Sequence, residues 1–212
     1  MSIASIIKKQ NLALKPLNVG SIETTSQLSA YIYEEKLLES YIKAHPKNSD
    51  KDEIALKVAL IDFTNNTEIC KQKKDNALEK IAGAISECKD FDEFLKNGNP
   101  EAVEIIANAT TKNNFSFASK YCAYHSFHLY DDDFSIYDGI VAELLPFYAK
   151  ECAEKITSSK IDAYRQEKNY KAYNELIGRI LSSKGLEKVE KIRRKFDIFL
   201  WSWGKEILER YK

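Results

Sequence analysis

The sequence predicts an all-α fold, and three observations carry that prediction. Glycine and proline are scarce, seven and four among 212 residues, whereas an all-β sandwich needs turn residues at frequent intervals. Apolar residues recur at three- and four-residue steps through most of the chain, the period of a helix with one buried face. No convincing pair of strands and no internal repeat is present. A hydrophobic content of 44% with 11% aromatics gives such helices a core to bury and excludes a disordered chain.

Taken in order, the N-terminal run MSIASIIKKQ has its apolar residues ahead of its lysines, the reverse of a secretory signal. No stretch approaches the roughly 18 uninterrupted apolar residues of a membrane span. The expectation is a soluble, intracellular protein of the cytoplasm with no membrane partner. Leu28, Tyr31, Ile32, Leu37, Leu38, Tyr41 and Ile42 predict one amphipathic helix over 21–44, which HPKNSDKD then breaks. A second helix, entered near Asp50, carries Ile54, Leu56, Val58, Ala59, Leu60, Ile61 and Phe63, and that apolar density marks it as the core helix. The following TNNT prefers turns and caps, which leaves a further helix over 77–87. Short helices over 90–96 and 100–109 are separated by NGNP, a stop followed by a proline suited to a first helical turn.

After TTKNN the segment FSFASKYCAYHSF reads as a helix bearing Lys120, the acidic LYDDDFS as a polar turn, and Asp138 as the N-cap of the next helix. Two amphipathic helices close the chain. One covers 161–181, and the other starts at Gly185 and carries Leu186, Val189, Ile192, Phe196, Phe199, Leu200, Trp203 and Ile207 on one stripe.

Formal net charge is zero, with 32 basic against 32 acidic residues, so any polyanionic partner must be met by a local patch. Two such patches are Lys184, Lys188, Lys191, Arg193, Arg194 and Lys195 on the last helix, and Lys71, Lys73 and Lys74 after TNNT. Cys70, Cys88, Cys122 and Cys152 form no CxxC pair and read as reduced thiols. Cys122, His125 and His128 recur every three residues, but a spread of about 120° around a helix does not converge on one ion, so no metal site is expected.

The segment NNFSFASKYCAYHSFHLYDDDFSIYDGIV places Lys120, within FASK, 18 residues before Asp138, within IYDG. This resembles the helix-hairpin-helix DNA glycosylases, in particular the 8-oxoguanine glycosylase-like branch. In that family a lysine begins the helix after the hairpin, and an aspartate follows at the start of a later helix. LIDFTNNTEI resembles the segment that carries a polar pair after an apolar run, with Asn65 and Asn66 in the place from which side chains enter the gap left in the duplex. Ser116 and Ala118 stand where family members carry hairpin glycines.

The resemblance implies a base-excision glycosylase with AP lyase activity on an oxidised purine such as 8-oxoguanine. Lys120 would attack the sugar as an unprotonated amine and form a Schiff base, with Asp138 as its acid/base and electrostatic partner. It implies a single unit over 1–212 of two lobes, a middle lobe over about 50–135 and a second in which 1–49 packs with 136–212. Double-stranded DNA is the implied partner, met by Asn65, Asn66, Asn113, Asn114, Ser116, Ala118 and Ser119. The target base would be flipped into a pocket lined by aromatics among Phe115, Phe117, Tyr121, Phe199 and Trp203. No organic cofactor is implied. The alternative is a catalytically inactive all-α module of the same fold that binds DNA or protein.

Overall fold

The structure is a computed structural model that describes residues 2–27, 32–152 and 155–211. Among these residues every regular element is helical. The helices are α1 (Ile3–Gln10), α2 (Val19–Gln27), α3 (Ile32–Ala44), α4 (Lys51–Asn65), α5 (Ala77–Glu87), α6 (Phe91–Lys96) and α7 (Glu101–Asn108), then α8 (Phe115–Leu129), α9 (Gly139–Glu151), α10 (Ser158–Gln166), α11 (Tyr170–Ser183) and α12 (Ile192–Tyr211). A short 3₁₀ turn, Lys73–Asp75, precedes α5. None of these helices is long and apolar enough to cross a membrane.

Side-chain caps set several of the boundaries. The Asp50 carboxylate accepts the N–H groups of Asp52 and Glu53 to start α4, and Asn66 ends it in the left-handed conformation at φ 50°. The helix expected over 21–44 corresponds to α2 and α3, and its middle, including Leu28 and Tyr31, lies outside the described residues. The helix expected over 161–181 is two helices. Lys168 turns left-handed at φ 54°, and the Asn169 side chain then caps α11 by accepting the Ala172 N–H. The last helix starts at Ile192, not Gly185, because Gly185 at φ 66° and Lys191 at φ 51° bracket a turn that buries Leu186.

Helix α8 is the most deeply buried element, with every residue from Phe117 to Phe127 in the interior. Its small residues, Ala118, Ser119 and Ala123, let α3, α4, α6 and α7 approach it. Apolar density points instead to α4, which buries Ile54, Val58 and Ile61 but leaves Phe63 81% exposed. Lys57 on α4 is fully buried, its ammonium donating to the Lys47 carbonyl at 2.6 Å and to Asn48 Oδ1 at 3.1 Å, and burial pushes its pKa down to about 8. Helix α12 packs against α2, α9 and α1.

Residues 130–138 run through the molecule without helix, and side chains satisfy several of their backbone groups. Ser135 N–H donates to the Tyr170 hydroxyl and to Asn174 Oδ1, Tyr170 and Tyr173 donate to the Ser135 and Ile136 carbonyls, and Tyr137 N–H donates to Ser119 Oγ. The acidic segment read as a polar turn is exposed only in part: Asp131 faces solvent. Asp132 is buried, and its Oδ2 accepts the N–H groups of Arg193 and Arg194 at the start of α12. Burial lifts its carboxyl to about 7 in spite of those donors. This strap ends at Asp138 and so fixes where α9 begins.

Candidate active site

Asp138 lies in extended backbone, and its Oδ1 accepts the Ile140 N–H at 2.8 Å as the cap of α9. Its Oδ2 faces α8, where the Lys120 ammonium donates to it at 3.3 Å. Lys120 also donates at 3.1 Å to Ser116 Oγ, one turn earlier on the same helix. The Ser116 hydroxyl in turn donates to the Tyr137 carbonyl at 2.9 Å, which aims its lone pair at the amine. A residue expected to meet DNA thus positions the lysine. The Lys120 side chain is 7% exposed and that of Asp138 24% exposed, so both open onto a cleft rather than the bulk surface.

That cleft has a volume of about 600 Å³ and lies between α3, the end of α4, α8, the start of α9, and α12. Thr64, Asn65 and Asn66 form one rim. Asn65 is held in place: its Nδ2 donates to the Ile61 carbonyl, and its Oδ1 accepts the Tyr124 hydroxyl at 3.2 Å. Arg194, which also lines the cleft, donates to Glu35 Oε1 through Nε and Nη2, and to Asp197 Oδ2 through Nη1 at 2.7 Å. Its guanidinium lies over the rings of Tyr124 and Phe127, 5.2 and 5.4 Å from their centroids. Burial lifts the Asp197 carboxyl to about 6; Arg194 and Lys120 oppose the shift and Asp138 adds to it. Arg194 was named from the sequence only as part of a basic patch and Asp197 not at all, although their three-residue spacing on an amphipathic helix was readable.

Several expected contacts move. Ala118 and Ser119 are fully buried and Asn114 nearly so, and they hold the fold together instead of facing a duplex. Ser119 Oγ donates to the Ser116 carbonyl, Asn114 bonds Gln72 and Thr110, and Asn113 Nδ2 donates to the Arg165 carbonyl. The loop before α8 is tied by a carboxylate: Asp75 Oδ2 accepts both the N–H and the hydroxyl of Thr111, and with Lys80 these donors hold Asp75 down to about 2. Phe115, Phe117, Tyr121, Phe199 and Trp203 are core residues, and none of them lines the cleft; its aromatic walls are Tyr124 and Trp201.

The basic run of the last helix is largely spent inside the molecule. Arg193 donates to Ser135 Oγ, Lys195 pairs with Glu23, and Lys184, which precedes α12, pairs with Glu151. Among the described residues no group of three or more ligating side chains is placed to hold a metal ion. His125 is buried, stacked on Tyr121 and bonded to its carbonyl, and burial takes its pKa down to about 3. A separate groove of about 510 Å³ between α4 and α5 is lined by Lys51, Cys70, Lys73 and Glu79. Its Lys51 ammonium donates to Glu79 Oε1 at 3.1 Å, but that pair is exposed to solvent, whereas Lys120 and Asp138 are sheltered.

An amine within hydrogen-bonding reach of a carboxylate in a sheltered cleft is equipped for attack on an electrophilic carbon with proton transfer alongside. The family model HI_0787_N, described as an N-terminal domain, matches residues 18–132, a span that includes Lys120 and ends before Asp138. An uncharacterized protein of Haemophilus influenzae is 29% identical over 142 residues, which cover 64% of this chain and 61% of that relative. The chain therefore matches under two thirds of the relative's length. No solved structure matches.

Proposed function

The chain belongs to the HI_0787_N family, and we propose that it is a DNA glycosylase with AP lyase activity, removing an oxidised purine from duplex DNA through a Schiff base on Lys120. The observation that carries this reading is the Lys120 to Asp138 contact of 3.3 Å at the wall of one open cleft, made by residues 18 positions apart. Asn65 and Asn66 on the rim of the same cleft support it, since a base drawn into the cleft leaves a gap that polar side chains there can fill. In this reading α1 and α2 packing onto α9 and α12 form one lobe of a helix-hairpin-helix glycosylase fold, and α4 to α8 the other. Lys120 attacks the sugar carbon while the base leaves, and the Asp138 carboxylate stabilises the positive charge that develops there.

The experiment is borohydride trapping with duplexes that contain 8-oxoguanine or an abasic site. The expected result is a covalent adduct that Lys120→Gln abolishes while retaining the helical circular dichroism of the wild type. No adduct with either duplex favours the second reading, a non-catalytic DNA- or protein-binding module. One observation speaks for that reading: Ser116 and Ala118 stand where family members carry hairpin glycines.

A further inference from the structure

We propose that Ser116 and Ser119 are positioning residues of the reaction, two hydroxyls on α8 that clamp the backbone of Tyr137 and thereby set Asp138 against Lys120. The inference rests on the glycosylase reading and deepens it, because both serines, expected to meet the duplex, serve the nucleophile instead. Ser119 and Lys120 stand three and four residues after Ser116, so the three side chains share one face of α8. That face meets the end of the strap. Ser116 Oγ donates to the Tyr137 carbonyl at 2.9 Å, and Ser119 Oγ accepts the Tyr137 N–H at 2.9 Å. Both polar backbone groups of the residue before Asp138 are therefore held by the helix that carries the lysine.

Each hydroxyl both donates and accepts. Ser119 Oγ donates to the Ser116 carbonyl at 2.9 Å, which turns a lone pair toward the Tyr137 N–H. Ser116 Oγ, with its proton on the Tyr137 carbonyl, accepts the Lys120 ammonium at 3.1 Å, and Asp138 Oδ2 accepts it at 3.3 Å. One hydroxyl thus touches the amine and the peptide that leads into the carboxylate. The Tyr137 ring meets Phe115 and Tyr173 edge-on, which anchors the side chain and leaves the backbone orientation to the serines.

A lysine nucleophile must lose a proton before it attacks. One proton of the Lys120 ammonium crosses to Asp138 Oδ2, its carboxylate partner. The amine lone pair then forms the N–C1′ bond as the glycosidic C1′–N bond breaks and leaves its electron pair on the base. The base takes the proton from Asp138, which restores the carboxylate. Through these steps one N–H stays on Ser116 Oγ and limits the swing of the amine between Asp138 and the sugar. A misplacement of about 1 Å at such a contact costs on the order of 10²-fold in rate. Both serines act through Lys120 and Asp138.

The test separates the rate of adduct formation from duplex affinity. Single-turnover borohydride trapping is run on an abasic duplex at saturating protein, and the dissociation constant for the same duplex is measured by fluorescence anisotropy. On this substrate the amine adds to the C1′ aldehyde, the aldehyde oxygen leaves as water, and borohydride reduces the C=N bond. Ser116→Ala is expected to react about tenfold or more slowly than wild type at saturation, with an unchanged dissociation constant. Ser116→Thr, which keeps the hydroxyl, returns most of the rate. Ser116→Gly installs the residue of the family hairpin and is expected to be as slow as Ser116→Ala, and Ser119→Ala is expected to be slow as well. A wild-type saturated rate in Ser116→Ala, Ser116→Gly or Ser119→Ala, or a Ser116→Thr protein as slow as Ser116→Ala, overturns this inference and leaves the glycosylase reading standing. A change confined to the dissociation constant returns the serines to the duplex and overturns it too. A wild-type chain that gives no adduct overturns both.

Discussion

Asp62 near the end of α4 shows how one carboxylate shapes the rim of the cleft. Its Oδ1 accepts the Thr67 hydroxyl at 2.7 Å and the Ile69 N–H at 2.9 Å, and its Oδ2 accepts the Cys70 N–H at 2.9 Å. These bonds fold the chain back directly after Asn65 and Asn66. Burial disfavours the charge, but the three donors outweigh it and hold the pKa below the ordinary value of 3.8. A lowered carboxylate pKa contributes stability that is present above 3.8 and disappears as pH falls through the folded-state value. Asp62→Asn is expected to cost about 1–3 kcal/mol at neutral pH, measured by urea unfolding, with the gap from wild type closing in acid. A gap independent of pH would contradict the assignment. Lys120 obeys the same logic of partners: Ser116 and Asp138 give its ammonium two acceptors and one direction.

At the scale of elements, the strap over 130–138 and the contact between α9 and α12 together place Asp138. Gly204 on α12 faces Ile140 in the first turn of α9, and a β-carbon there would collide with Ile140 Cγ2 and crowd Ile3 and Leu144. Gly204→Ala is therefore expected to destabilise the fold by about 1–3 kcal/mol through overpacking, read from the urea midpoint. It should also slow adduct formation, because the strain falls two residues from Asp138. An unchanged midpoint would show that α9 and α12 can part without cost. Helix starts with side-chain caps were readable at Asp50 and Asp138, where an acidic residue precedes an apolar run. Breaks made by backbone conformation were not: Lys168 and Lys191 take positive φ without the glycine that would have announced it. Nor does periodicity reveal Asp132, which caps α12 from 61 residues away.

For the whole molecule, zero net charge reflects internal use of charge as much as balance. Arg193, Arg194 and Lys195 look like a basic face in sequence, yet each reaches a partner on another element, because amphipathic spacing does not tell a solvated cation from one that crosses to a neighbour. The same limit explains the pocket: aromatics flanking Lys120 in sequence went to the core, while Tyr124 and Trp201 reached the cleft. Lys120 and Asp138, by contrast, were paired through the family resemblance carried by their spacing of 18 residues, and the fold brings them to 3.3 Å.

The most direct test of the central claim is to digest the borohydride-reduced complex with an abasic duplex and map the modified peptide by mass spectrometry. The account expects the sugar remnant on Lys120 alone. An adduct on Lys205, which lines the same cleft, or on the protein's N-terminal amine would contradict it.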